Sequence, residues 1–327
     1  MSNPLCSVVV CTRHRPALLA RCLGSLRRLD HPSYEMIVVD NTPGESAVER
    51  LAAAVGARYV IEPREGLSRA RNTGGRAARG GIVAYIDDDA VAEPPWLRRH
   101  AAALEDPSLG ATSGRILPTS LKTEASRSYA AAGGEDLGEV PFVVDAATPG
   151  WFERANFGGV GIGCNMAFRR ALFDSGWGFR ESLGAGALIP GEEHYAFFTL
   201  IRTGHAVAYV PDAVVHHDYP TTEAELRDRR FWILRGAAAY MLMLLVEEPE
   251  FRRTTLRYML EAAHGTRRAW RRGEIAERLG SRRQLLAAAA AGVPLYAWAQ
   301  LSARGGFSPP PLPAAGVLEG RERSDTS

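Results

Sequence analysis

Ile82–Asp89 reads IVAYIDDD, a short apolar run that passes directly into three aspartates. IVAYI has the length and composition of a buried strand. Three similar runs precede it: Ser7–Thr12 (SVVVCT), Met36–Asp40 (MIVVD) and Ala57–Ile61. Helical patterns separate them. Pro16 suits a first helical turn, and Leu18, Leu19, Cys22, Leu23 and Leu26 form an apolar stripe at 3.6 spacing. A second helix is predicted over Ala47–Val55, and a third over Ser68–Arg79 with Ser68 as its cap. Strand–helix alternation predicts an α/β fold: a Rossmann-like, mostly parallel sheet with helices on both faces. Ligands of such sheets sit beyond the carboxyl ends of the strands. Thr12, Asp40, Glu62 and Asp87–Asp89 are therefore expected along one edge.

Beyond this core, Pro118–Gly163 is glycine-rich and proline-punctuated, and reads as loops. A strand is predicted at Asn165–Phe168 and a helix at Arg170–Ser175. Gly191–Arg202 (GEEHYAFFTLIR) reads as an amphipathic helix. Ala206–Val210 and Ala213–Val215 read as short strands ending at His216-His217. From Thr222 the pattern is helical and arginine-rich. The domain division expected is 1–225, with halves 1–117 and 118–225, then a basic helical extension 226–304 and a disordered tail 305–327.

The 327 residues are 46% hydrophobic and 23% charged, which excludes a mostly disordered chain, a collagen-like fibre and a polytopic membrane protein. The net charge of +2 conceals an asymmetry. Residues 1–226 carry 22 Arg/Lys against 27 Asp/Glu, whereas 227–283 carry 14 against 7. Cys6, Cys11, Cys22 and Cys164 fit no zinc pattern or disulfide framework, and read as buried thiols in a reducing compartment. No secretory leader is apparent, so a cytoplasmic protein is expected.

Three adjacent carboxylates repel one another, and something positive must offset them. A hard divalent cation, Mg²⁺ or Mn²⁺, would do so and bridge to a diphosphate; a solvated acidic turn is the plainer reading. Gly66–Gly75 (GLSRARNTGG) places Arg69, Arg71 and Asn72 on the first turns of a helix, where anions are favoured. Asp40 could accept hydrogen bonds from a ribose or base. Glu192-Glu193, after Pro190-Gly191, suit a helix start electrostatically, and one of them could serve as a general base. His216 and His217 could complete a metal shell.

In order along the chain, these motifs resemble the family-2 glycosyltransferases of the A-type (GT-A) fold. SVVVCTRHRP, with Thr12 and Arg13, resembles the opening strand and nucleotide loop. IVVDN (Ile37–Asn41) resembles the second strand, GLSRARNTG the arginine/asparagine helix, and IVAYIDDD the strand leading to the D-x-D motif. GCNMAFRR (Gly163–Arg170), with Asn165 and Met166, resembles the strand bordering donor sugar and acceptor. GEEHYAFFTLIRTGHAVAYVPDAVVHH resembles the family's G-E-D motif, helix, closing strands and terminal histidine. Two departures stand out: the Glu-Asp pair is Glu192-Glu193, and the single histidine is doubled.

The resemblance implies an inverting, metal-dependent transfer of a sugar from a nucleotide-diphospho-sugar to an acceptor hydroxyl. It implies a metal on Asp87 and Asp89 with His217 or His216, and a base at Glu193, with Glu192 as the alternative. It implies donor contacts from Thr12, Arg13, Asp40, Arg69, Asn72, Asp87, Asp88 and Asn165. The acceptor would be a saccharide, a lipid-linked or a small molecule. The alternatives are a sugar-nucleotide nucleotidyltransferase and an inactive transferase-like scaffold. The basic segment places Arg227, Arg229, Arg230, Arg267, Arg268, Arg271, Arg272, Arg282 and Arg283 among apolar stretches. Its apolar faces either pack on the body or make a peripheral membrane contact through 227–301. Nucleic acid is not an expected partner, because aromatic stacking positions are not interleaved with the arginines as a binding groove needs.

Overall fold

A computed structural model of the chain describes residues 5–42, 46–187, 189–271 and 282–305. The first third follows the predicted alternation. It contains β1 (Cys6–Thr12), α1 (Pro16–Leu26), β2 (Tyr34–Asp40), α2 (Ser46–Ala54), β3 (Arg58–Ile61), α3 (Leu67–Ala77) and β4 (Ile82–Asp87). The four strands are parallel and lie in the order β3-β2-β1-β4. Successive side chains of a strand point to opposite faces. Val8 and Val10 accordingly join Leu19, Cys22 and Leu23 of α1 in one apolar cluster. Val9 joins Ala70 of α3 in another. A strand apolar on both faces is stable only with helices on both sides. The third helix begins at Leu67 and is not capped by Ser68. The Ser68 hydroxyl is fully buried and donates instead to the Leu183 carbonyl at 2.6 Å.

Beyond β4 the sheet becomes mixed. β5 (Ala90–Ala92), α4 (Trp96–Ala103) and β6 (Leu109–Pro118) follow, then α5 (Glu124–Ala131), β7 (Phe142–Val144) and α6 (Trp151–Asn156). The 118–163 stretch thus holds two helices and a strand where the sequence suggests loops. Next come β8 (Asn165–Arg169), α7 (Arg170–Asp174), α8 (Glu192–Arg202) and β9 (Ala206–His217). The two short strands predicted near the end are one strand. Its register beside β6 shifts between Gly114 and Arg115, which accommodates Pro211, Asp212 and Ala213. The full order is β3-β2-β1-β4-β8-β6-β9-β5, with β7 also paired to β9. β8 runs antiparallel to both of its neighbours.

The C-terminal helices are α9 (Glu223–Glu247), α10 (Arg252–Arg271) and α11 (Arg282–Gly305). A capping box starts α9: the Thr222 hydroxyl accepts from the Glu225 amide. Ala239, Tyr240, Met243 and Leu244 of α9 and Tyr296 of α11 enter the main core. Part of the extension therefore packs on the body. Phe231, Trp232 and Ile233 remain exposed on α9, as does Trp298 on α11. Among the described residues, no helix is long and apolar enough to cross a membrane. Arg272 and residues 306–327 lie outside the described residues.

Candidate active site

The site forms where β1 and β4 end beside the starts of α3 and α8. In the β1–β4 register Cys11 faces Asp87, and in the β1–β2 register Thr12 faces Asp40. The three aspartates diverge from there. Asp87 closes β4 and meets Arg71 of α3 at 3.1 Å. Asp88 turns back to β1, where the Thr12 hydroxyl donates to it at 2.7 Å and Arg15 lies at 3.5 Å. Asp89 leads into β5, which pairs with β9 so that Ala90 faces His217. Its carboxylate lies 3.1 Å from His217 Nε2 and 3.2 Å from Arg15. The repulsion expected of the triplet is thus offset by cations of the chain itself: Arg71 beside Asp87, Arg15 beside Asp88 and Asp89, and His217 beside Asp89.

Arg71 is the hub. Its guanidinium is 2% exposed and reaches Asp87, Glu192 at 2.6 Å and the Gly163 carbonyl at 3.1 Å. Burial opposes its charge, but Asp87, Glu192 and Glu193 outweigh that and hold the group protonated. The sequence places Arg71 on the helix without distinguishing it from Arg69. Its signal is the helical register: with Ser68, Ala70 and Asn72 it lies on the buried side, whereas Arg69 is half-exposed and pairs with Glu181 at 3.2 Å.

Gly191 sets the start of α8. Its φ of +102° lies in the left-handed region, and an added Cβ would stand 3.0 Å from the Tyr240 ring. Glu192 then turns inward to Arg71 and is buried, while Glu193 is partly exposed and accepts from the Gly163 amide. Burial and the adjacent Glu193 raise Glu192 to about 7, against the pull of Arg71. Glu193 moves the other way: burial pushes it up, but His194, Arg71 and backbone amides hold it below the ordinary value. Burial raises Asp88 to about 6. Asp89 also feels burial, yet the hydrogen bond and charge of His217 hold it down at about 2. His217 is raised to about 10, because Asp89 and Glu135 outweigh the burial penalty.

Other predicted residues have different surroundings. His216 lies on the opposite face of β9 from His217 and pairs with Glu93 at 3.0 Å, away from Asp89. Asp40 is fully buried, accepting from the Tyr59 hydroxyl and the Thr42 amide. Asn72 clamps Phe179 through both its amide and its carbonyl. Asn165 is fully buried; it donates to the Arg115 and Ala213 carbonyls, and its oxygen meets Trp96 and His100. It is a cross-link between strands with all four polar positions used. Arg13 pairs with Glu65 at the surface. Glu135, in a stretch read as loop, is a member of the site that the sequence does not reveal: it contacts His217 Nδ1 at 2.8 Å.

Among the described residues, no three His, Cys, Asp or Glu side chains form a group that could hold a metal ion. Asp89 and His217 nevertheless offer a carboxylate and an imidazole side by side. With Nε2 deprotonated, the pair could supply two ligands to a divalent cation whose remaining positions are filled by water or substrate oxygens.

The mixed α/β fold is that of the GT-A glycosyltransferases, and solved structures share it. The Pyrobaculum calidifontis mannosyltransferase PcManGT, solved with GDP-Man and Mn²⁺, superposes with a TM-score of 0.59 at 21% identity, covering 90% of this chain and 88% of that one. S. aureus TarS 1-349 with UDP-GlcNAc gives 0.52 at 15% identity, covering 92% of each chain. The chain belongs to glycosyl transferase family 2, whose model matches residues 7–177. The succinoglycan biosynthesis protein ExoM of Rhizobium meliloti is 29% identical over 284 residues, 80% of this chain and 77% of that protein. The pre-mycofactocin glycosyltransferase of Mycobacterium tuberculosis is 30% identical over 239 residues, 71% of this chain and 45% of that protein.

Proposed function

We propose that this glycosyltransferase transfers a sugar, with inversion, from a nucleotide-diphospho-sugar to an acceptor hydroxyl, with Glu193 as the base. The observation that carries the assignment is the Arg71–Glu192 ion pair at 2.6 Å. It commits Glu192 to a buried structural contact and leaves Glu193 as the partly exposed carboxylate of the pair. Held ionised, Glu193 can accept the proton of an attacking hydroxyl. The acceptor oxygen bonds to the anomeric carbon as the carbon–oxygen bond to the diphosphate breaks. Asp89 and His217 would hold a divalent cation. That ion, when bound, neutralises charge growing on the leaving diphosphate. Arg15, half-exposed beside Asp88 and Asp89, is placed to meet a diphosphate as well.

The donor nucleotide would lie along the ends of β1 and β2, near Thr12, Arg13 and Asp40, with Asp87 and Asp88 beside its diphosphate and Arg69 at the rim. Asn72 and Asn165 would act indirectly, by fixing the walls. The acceptor side would be built from residues 118–225, and a saccharide, lipid-linked or small-molecule hydroxyl would enter there. Arginines and exposed aromatic residues on α9 support peripheral contact of a cytoplasmic enzyme with an anionic membrane.

The test is nucleoside diphosphate release from a panel of UDP-, GDP- and dTDP-sugars with Mn²⁺, and the product's anomeric configuration by NMR. Glu193→Gln should lower turnover by roughly 10²- to 10⁴-fold while nucleotide binding is kept. Loss of that size in Glu192→Gln, with Glu193→Gln active, would reverse the assignment.

A further inference from the structure

We propose that Glu135 is a positioning residue: it grips the Nδ1–H of His217 and thereby aims Nε2, beside Asp89, at a divalent cation. The proposal rests on the reading that Asp89 and His217 hold such an ion. Glu135 lies 82 positions from His217 in sequence, just after α5. Its side chain is only 6% exposed, and each oxygen has its own task. Oε2 meets His217 Nδ1 at 2.8 Å. Oε1 accepts from Arg229 of α9 and from the Tyr129 hydroxyl at 3.3 Å. The Glu135 amide donates to the Tyr219 hydroxyl at 3.1 Å, so the backbone is anchored too.

The chemistry follows from the donor inventory. A carboxylate bound to Arg229 only accepts, so Nδ1 must carry the proton. By the same rule Nε2 carries a proton to Asp89 at 3.1 Å while no cation is bound, and Nε2, the nitrogen that Glu135 does not hold, is the one that would exchange its proton for a cation. A carboxylate behind a metal-binding imidazole fixes ring orientation and raises ligand basicity. Arg229 holds the Glu135 oxygen that does not face His217. The first turns of the basic extension thus brace the site from behind.

The experiment is titration of Mn²⁺ alone into the full chain, with free ion read by EPR, and thermal unfolding of the metal-free protein beside it. Glu135→Ala should weaken Mn²⁺ binding by about 10- to 100-fold. Glu135→Gln, isosteric and able to accept through its amide oxygen, should fall between parent and Glu135→Ala. It also stands in if the alanine variant does not fold. A purely structural Glu135 would lower the unfolding temperature and leave Mn²⁺ affinity at the parent value in both variants; that result overturns the proposal. A parent protein that binds no Mn²⁺ overturns the underlying metal reading instead.

Discussion

Replacing Arg71 with methionine removes the charge at the centre of the site and keeps much of the volume. The guanidinium serves two carboxylates and a carbonyl from a position only 2% exposed. Breaking a buried ion pair from one side costs about 3–5 kcal/mol, because the remaining charge stays buried. In a chain of this size that corresponds to a fall of roughly 4–7 °C in Tm. The cost should depend on pH with a definite sign. Burial already raises Glu192 to about 7 and raises Asp87 as well, and losing Arg71 raises both further. A carboxylate raised in the folded state lowers stability above its unfolded value, and that loss disappears on acidification. The gap between parent and variant should therefore widen as pH rises above about 7, where Glu192 ionises in the parent but stays protonated in the variant, and narrow again as pH falls back to about 7. Urea denaturation across that range measures it. Adding Glu192→Met should recover part of the loss, since Asp87 alone, rather than two carboxylates, then faces the vacated position. A cost below about 1 kcal/mol at neutral pH, or a double variant no more stable than Arg71→Met, would refute Arg71 as the electrostatic hub.

The His217–Asp89–Glu135 cluster gives a second pH signature. His217 is raised to about 10, so its contribution is complete below about 6.5 and is lost as pH rises towards 10. Metal-free parent protein should lose stability over that window, and His217→Gln should remove that slope in parallel denaturation curves. Gly75→Ala tests the packing of α3: its Cβ would meet Phe173 at 2.6 Å and the Tyr85 hydroxyl at 2.7 Å. A destabilisation of about 1–3 kcal/mol is expected by calorimetry, and a neutral result would show that the aromatic cluster yields readily.

The sequence determined the local elements. IVAYI, SVVVC and MIVVD are strands because consecutive β-branched residues suit a sheet covered on both faces, and that signal needs no tertiary context. It also identified the helix starts that present Arg71 and Glu192-Glu193. β6 carries no continuous strand signal, because Thr112, Ser113 and Gly114 break its apolar run. These small residues are tolerated because β8 and β9 flank them on either side. The doubled histidine was ambiguous in sequence and distinct in space, since strand alternation sends His217 to Asp89 and His216 to Glu93. Glu135 had no local signal at all. Its role exists only because the turn after α5 is folded against β9 and α9. The Asp87–Asp89 triplet shows the same division. Its presence after a strand is a property of the chain, whereas the direction of each carboxylate depends on strand order. Because β4 lies between β1 and β8 while β5 pairs with distant β9, three neighbouring residues reach Arg71, Thr12 and His217.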